Sequence, residues 1–386
     1  MIDRALRGGA GYWGWLGFLS FMVLLGAFAY AFQLQEGLKV TGMSRDVSWG
    51  LYISQLTFLV GIAASAVILV IPYYLHNDKV FGRVTIVGEF LAVAAIIMSM
   101  LFVTVDLGYP ARLVNLFLYA SRNSILFWDA SVLMGYLILN ILIGWNVLSA
   151  ERKGIKPQGW VKVLIYLSIP WAVSIHTVTA FLYAGLPARH LWLTAVLAPR
   201  FLASAFAAGP AILILLGFIL RRVSRFDVGD EVIRKLSVIM TYTMILNLFL
   251  LLMEIFTAFY SNIPSHMHSF AYLFAGLDGK GRLVPYMWLS VVLSLVAILL
   301  LLIPKTRRDH GALKVICAIS LLSLWMDKGL CLVIAGFIPN PLEQVTQYEP
   351  TLPEIVITFG IYSLGGLVLT VLYKIVVSVK EEIETT

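Results

Sequence analysis

Charge and cysteine are what this sequence has least of. Asp, Glu, Lys and Arg make up 13% of its 386 residues, against the roughly 25% that wets the surface of a soluble domain. A chain so poor in charge and 60% apolar is neither disordered, nor a coiled coil, nor an ordinary cytosolic enzyme. The two cysteines, Cys317 and Cys331, both sit inside apolar runs. They exclude a disulfide scaffold and any four-cysteine zinc or iron–sulfur site built from this polypeptide alone. Histidine is scarce too. Of six, only His176 lies well inside an apolar run, so the two facing axial histidines of a b-type haem are lacking. The alternation over about ten residues that marks a transmembrane β-strand does not occur.

What is present is a series of ten apolar runs, near 11–33, 50–74, 84–107, 125–150, 160–186, 198–221, 233–260, 285–304, 312–338 and 354–380. Each approaches or exceeds the roughly 20 helical residues that cross a hydrocarbon core of about 30 Å. The expected fold is an all-α integral membrane protein, a single polytopic domain over 1–386. The first run, at about 22 residues, exceeds the roughly 7–15 residues of a signal-peptide core. It reads as a retained helix, although Ala27, Ala29 and Ala31 resemble a cleavage site. Nineteen of the 28 Lys and Arg fall on one side of these spans and eight on the other, with Lys328 inside the ninth. The basic side is the cytoplasmic one, which predicts both termini in the cytoplasm and the chain in the cytoplasmic membrane. The net charge of +7 is then a product of insertion and gives no reason to expect a nucleic-acid partner. Small residues cluster over 61–66 and 203–209, where helices can approach closely. They suggest two four-helix bundles, spans 2–5 and 6–9, with spans 1 and 10 peripheral.

Ionisable groups inside a bilayer are costly, about 2.5–3.5 kcal/mol each on insertion scales, so their depths are informative. Asp46, Asp106, Asp129, His176 and Glu254 come from five spans or their approaches, and all fall toward the exterior face. Glu89 and the adjacent Asp327 and Lys328 lie deeper. Neighbours on a helix point about 100° apart, so Asp327 and Lys328 each look for a partner on another helix. A structural ion pair and a proton relay are both open there. A His and a carboxylate suit a ligand with an apolar ring and two oxygens that gain or lose protons with electrons, a quinone. His176 and Asp129 are the expected acid and base, with Trp49, Ser54, Gln55 and Asp106 completing the site. Glu89, Glu254, Asp327 and Lys328 are the expected proton path. No metal is expected to be bound by this chain. An ion- or proton-translocating, transporter-like subunit without quinone chemistry is the other reading.

Several motifs, in order, resemble the NrfD/PsrC-type family of polysulfide-reductase membrane subunits, and within it the ten-helix branch. They are Trp49-Gly50-Leu51-Tyr52, Asp106-Leu107-Gly108-Tyr109-Pro110-Ala111-Arg112, Phe127-Trp128-Asp129, Ile169-Pro170 through His176, Leu186-Pro187-Ala188-Arg189 with Trp192, and Phe201-Leu202-Ala203-Ser204-Ala205-Phe206. The stretch Gly336-Phe337-Ile338-Pro339-Asn340-Pro341-Leu342-Glu343 most resembles the DsrP branch, from the DsrMKJOP complexes of sulfate reducers. The resemblance implies menaquinone as an exchangeable ligand and an exterior, multi-cluster, ferredoxin-like iron–sulfur subunit as partner. Its DsrP form adds a haem-b membrane subunit, a multihaem cytochrome c and a cytoplasmic iron–sulfur subunit. Smaller eight-helix relatives place polar and aromatic quinone ligands where this chain has Ile53, Leu56 and Ile169, so that site does not transfer directly. A fluorescent-protein fusion at the carboxyl terminus is expected to fluoresce, and a phosphatase inserted within 261–284 to be active. The reverse pattern would overturn the assigned orientation.

Overall fold

The computed structural model describes residues 2–385. With no water to satisfy peptide groups inside a bilayer, long apolar runs close their hydrogen bonds within themselves as helices. Among the described residues, ten helices are long and apolar enough to span: α1 Ala10–Glu36, α2 Leu51–Leu75, α3 Thr85–Asp106, α4 Ile125–Arg152, α5 Gly159–Ala184, α6 Leu197–Val223, α7 Asp230–Tyr260, α8 Val284–Leu302, α9 His310–Ala335 and α10 Leu352–Ile383. No strand forms among those residues, only an isolated bridge between Leu277 and Lys280. The chain is a multi-pass membrane protein. Helix ends depart from the hydropathy limits where polar residues prolong a helix beyond its apolar stretch, as in α1 and α10. In the other direction, α9 stops at Ala335 instead of 338. There a Cβ on Gly336 would strike the ring of Trp192, and Pro339 cannot continue the helix.

Along the chain α2 packs on α3, α3 on α4 and α4 on α5, which returns to α2. Likewise α6 packs on α7, α7 on α8 and α8 on α9, which returns to α6. The two sets meet where α2 lies against α6 and α9, and α5 against α6. Gly61 lies at this junction: a Cβ there would stand in ordinary contact with Ala205 Cα at 3.7 Å and more tightly, at 3.3 Å, against the Lys328 ammonium. Arg4 pairs with Glu382, so both ends of the chain share one face, termed here the terminal face; the opposite one is the loop face. On the terminal face Asp78 caps the short helix Lys79–Arg83 and accepts from Lys235. The hydrogen bond from Lys235 holds the Asp78 carboxyl below the usual carboxylate range.

α1 buries only Leu19, Gly26 and Gln33, one stripe at a seven-residue interval, and leaves Trp13, Phe18, Phe21 and Phe28 exposed. A helix apolar on all sides belongs against lipid. Its stripe packs on α10, which continues onto α3. The crossing is backbone on backbone: a Cβ on Gly26 would lie 2.6 Å from the Gly360 Cα, an approach that small residues allow. Gly26→Leu is therefore expected to pry α1 from α10 and destabilise the protein by about 1–3 kcal/mol. Gly17→Leu, with open space around its Cβ, should leave the thermal midpoint of the purified protein unchanged.

Candidate functional site

A cavity of about 600 Å³ opens near the loop face among α2, α8, α9, the start of α10 and the loop before it. Its walls are apolar: Leu51, Phe58, Leu321, Leu330, Ile334 and Ile355 are among them. Tyr286, Leu322 and Phe359 also line it and are 44%, 45% and 57% exposed, so its mouth faces the lipid side. α10 packs on α1 and α3 and so stands off from α8 and α9, which keeps the space open.

Two buried polar residues mark its wall, Gln55 and Thr358, and the Thr358 hydroxyl has no partner among the described residues. The side-chain oxygen of Gln55 accepts from Trp325 Nε1 at 2.8 Å and from the Tyr362 hydroxyl at 2.7 Å. Both lone pairs of the oxygen are thereby used, and the amide N–H groups are the part of Gln55 free to donate to a ligand. Above, the Tyr348 hydroxyl accepts from the Leu51 N–H at 2.8 Å and donates to Glu354 at 2.6 Å. Glu354 also accepts from the Thr351 N–H at 2.8 Å and the Gly42 N–H at 2.7 Å. Glu354 thus reaches back to the Thr351 N–H as one half of a helix-start box for α10, while the Thr351 hydroxyl donates to the Val40 carbonyl at 2.8 Å. This anchors the roof of the cavity to the first turn of a rigid helix.

Trp325 belongs to a seven-residue π-helical segment, Trp325–Cys331, inside α9. Its i→i+5 bonding widens the turn and sends its side chains to three places. Trp325 reaches Gln55 in the cavity wall. Asp327 accepts from Arg200 of α6. Lys328 donates to the Phe201 carbonyl at 3.3 Å and stands 4.3 Å from the Phe201 ring centre, without a carboxylate among the described residues. The wider turn fits because Gly329 lies against the Ser54 carbonyl and Gly61 leaves room for the Lys328 ammonium.

Arg200 also donates to Glu254 of α7 at 2.5 Å. Arg200, Glu254 and Asp327 are 5%, 7% and 4% exposed. A buried charge survives only when paired and hydrogen-bonded, and one guanidinium serves two carboxylates here. Arg200 is one of the eight basic residues that the sequence places on the exterior side, and the structure corrects that placement. It lies in the interior because two helices bring it counter-charges that a linear sequence does not display.

The other expected site residues lie on the far side of α2 or at its ends. Gln55 and Thr57 are about 200° apart around the helix; Thr57 meets the Tyr183 hydroxyl of α5. One turn earlier on α5, Thr179 donates to Asp129 at 2.6 Å, and His176 is one turn before that. Both ring nitrogens of His176 are buried without a partner, and Lys328 is the charged group whose field reaches it. Trp49 stacks on Trp192 and meets Tyr183 and Phe337 edge-on, away from the cavity. Ser54 spends its hydroxyl on the Gly50 carbonyl of its own helix. Asp106 ends α3 with one oxygen buried and unpartnered, and so does Glu89 near the terminal face. Of the six residues expected to bind a quinone, Gln55 alone lines the cavity.

A family profile described as "Polysulphide reductase, NrfD" matches residues 39–339. The chain belongs to the NrfD family. A putative dimethyl sulfoxide reductase membrane subunit of Halobacterium salinarum is 27% identical, over 92% of this chain and 89% of the relative. A selenate reductase subunit of Mesobacillus selenatarsenatis is 25% identical, over 75% of each. The Hdr-like menaquinol oxidoreductase integral membrane subunit of Archaeoglobus fulgidus is 24% identical, over 75% of this chain and 71% of the relative.

In this NrfD-family chain the residues missed by sequence reasoning are Arg200, Trp325, Tyr348, Glu354 and Tyr362. Only Glu354 carried a local signal, the Thr351-x-x-Glu354 pattern before an apolar run. Asn340, in the motif spanning 336–343, folds its loop by accepting from the Leu342 and Gln344 N–H groups at 2.9 and 3.0 Å. Among the described residues no three His, Cys, Asp or Glu side chains gather as metal ligands. Arg200→Met strands two carboxylates in the interior and should cost about 3–5 kcal/mol of stability. Replacing Arg200, Glu254 and Asp327 together by apolar residues of similar size should restore most of it, as read by thermal unfolding in detergent.

Proposed function

We propose that this chain is the quinone-reactive membrane subunit of an anaerobic respiratory complex, exchanging electrons with an iron–sulfur subunit seated on the loop face. The observation that carries the reading is the cavity itself. It is apolar, large enough for a ring with part of a prenyl tail, open toward lipid, and furnished with a free amide donor beside a tyrosine hydroxyl. A quinone in that space would take the Gln55 N–H on one oxygen, while Tyr362 can accept from the hydroxyl of the reduced form. Bound there, it supplies two-electron, two-proton chemistry. Menaquinone is the quinone we favour, because the Archaeoglobus relative is named as a menaquinol oxidoreductase subunit.

In this reading Asp129, Thr179 and His176 handle protons across α2 from the ring. The π turn of α9 joins the two regions, since one segment holds the cavity wall through Trp325 and the charged interior through Asp327 and Lys328. Glu254 leads toward the loop face, and Glu89 toward the terminal face. We read the packing as two four-helix bundles, α2–α5 and α6–α9, flanked by α1 and α10, and the terminal face as cytoplasmic, a reading supported by its excess of basic residues. A DsrMKJOP-like assembly would add the haem-b, multihaem cytochrome c and cytoplasmic iron–sulfur partners. A transporter-like subunit without quinone chemistry would leave the cavity without a role.

Gln55→Leu is expected to lower kcat/KM for quinol by about tenfold, the worth of one hydrogen bond to a polar ligand. It should also deplete quinone from an organic extract of the purified protein, read by absorbance. His176→Ala and Asp129→Asn should abolish quinol-dependent electron transfer while the complex still assembles and still retains quinone. Undiminished turnover and quinone content in Gln55→Leu would overturn the site.

A further inference from the structure

On the terminal face the N-terminal segment, the end of α4, the α6–α7 loop and the end of α10 enclose a second cavity of about 630 Å³. It is the charged counterpart of the first. Arg4, Arg7, Arg152, Arg225 and Lys374 line it together with three carboxylates, Asp3, Glu381 and Glu382, leaving two positive charges in excess. The bonding within it is uneven. Arg4 is committed, to the Ser378 carbonyl at 2.7 Å and to Glu382. Arg152 shares Glu382 at 3.8 Å, and Glu381 accepts from the Arg225 backbone N–H at 3.1 Å. Among the described residues neither Arg7 nor Lys374 is paired with a carboxylate. The Lys374 ammonium stands over the Tyr12 ring, 5.7 Å from its centre.

Two features say what kind of anion such a pocket takes. It lies at the membrane boundary, where α1 enters the bilayer. Just below it on α1, Trp13, Trp15 and Phe18 are exposed, an aromatic belt of the kind that sits at headgroup level. α1 packs along α10 and buries little of its own surface, so the flank beneath the pocket is open to acyl chains. Basic pockets between spans at such a face suit phosphate headgroups. We infer that this pocket is a binding site for an anionic phospholipid whose headgroup carries two phosphates. Arg7 and Lys374 are the groups that take up its charge, and the lipid's chains lie against α1. The site bridges α10 to α4, which already meet there through the Lys380–Glu151 pair at 2.6 Å and the Arg152–Glu382 pair at 3.8 Å, and so reinforces the junction of the α1–α10 pair with the rest of the molecule.

The test uses the full chain in detergent, with thermal midpoint and retained lipid phosphorus as readouts. Cardiolipin should raise the midpoint, phosphatidylglycerol less so, and phosphatidylcholine not at all; the effect should shrink as salt screens the exposed charges. The double variant Arg7→Gln, Lys374→Gln should weaken cardiolipin affinity about thirtyfold, the combined worth of two basic side chains near a membrane surface. Its midpoint in phosphatidylcholine should match the parent, which separates a missing ligand from a damaged fold. Equal cardiolipin affinity in parent and variant would overturn the proposal. So would an equal shift from inorganic pyrophosphate, which would mark a soluble phosphate ligand, or recovery of a stoichiometric acidic protein in place of lipid.

Discussion

One guanidinium, that of Arg200, holds three helices in register, because among the described residues it is the cation hydrogen-bonded to both buried carboxylates, Glu254 of α7 and Asp327 of α9. In water such a triad would contribute little, since exposed ion pairs are worth only about 0–1 kcal/mol. Here the alternative is an uncompensated charge in a medium that cannot solvate it. The bond to Asp327 orients the π turn of α9, and that turn places Trp325 against Gln55. The wall of the apolar cavity is thus positioned from inside the protein, by an ion cluster that does not itself line the cavity.

The π turn also explains how adjacent residues come to serve different regions. In a regular helix, Asp327 and Lys328 would diverge by about 100° and the wall residue two positions earlier by about 200°. Widening the turn changes those directions, and Gly329 and Gly61 let α2 accept the bulge. π turns recur at functional sites because they re-aim side chains without ending a helix. Under the proposed function, quinone chemistry at the cavity and charge rearrangement at Lys328 would share a single stretch of backbone, a physical basis for coupling the two.

The molecule is organised by contrast between its two faces. The loop face holds the apolar cavity, roofed by Tyr348 and Glu354, and a tight aromatic group around Trp49 and Trp192. The terminal face holds a basic, water-exposed cavity and the paired chain ends. α10 takes part in both: its first turns border the apolar cavity and its last turns the basic one. A lipid that fixes the lower half of α10 would also limit how far its upper half can swing from α8 and α9, and hence how wide the lateral mouth stands.

The ten spans were legible in the sequence because hydropathy over about 20 residues reports a bulk property, the cost of placing a peptide in hydrocarbon. His176, Asp129 and Gln55 stood out for the same reason, as polar side chains in apolar runs. Partner identity was not legible. Arg200 reads as a loop charge until two carboxylates some 54 and 127 positions away are folded against it, and Tyr362 reads as one more membrane aromatic until Gln55 meets it. Nor does any local pattern announce the π turn, which depends on how Gly329 within it and Gly61 of α2 meet across the helix boundary. Composition and periodicity by themselves determined that the chain is a ten-span membrane protein with polar groups toward one face. Only tertiary packing decided which of those groups neutralise one another and which face an open space, because pairing energies inside a membrane belong to contacts between helices that the linear order does not contain.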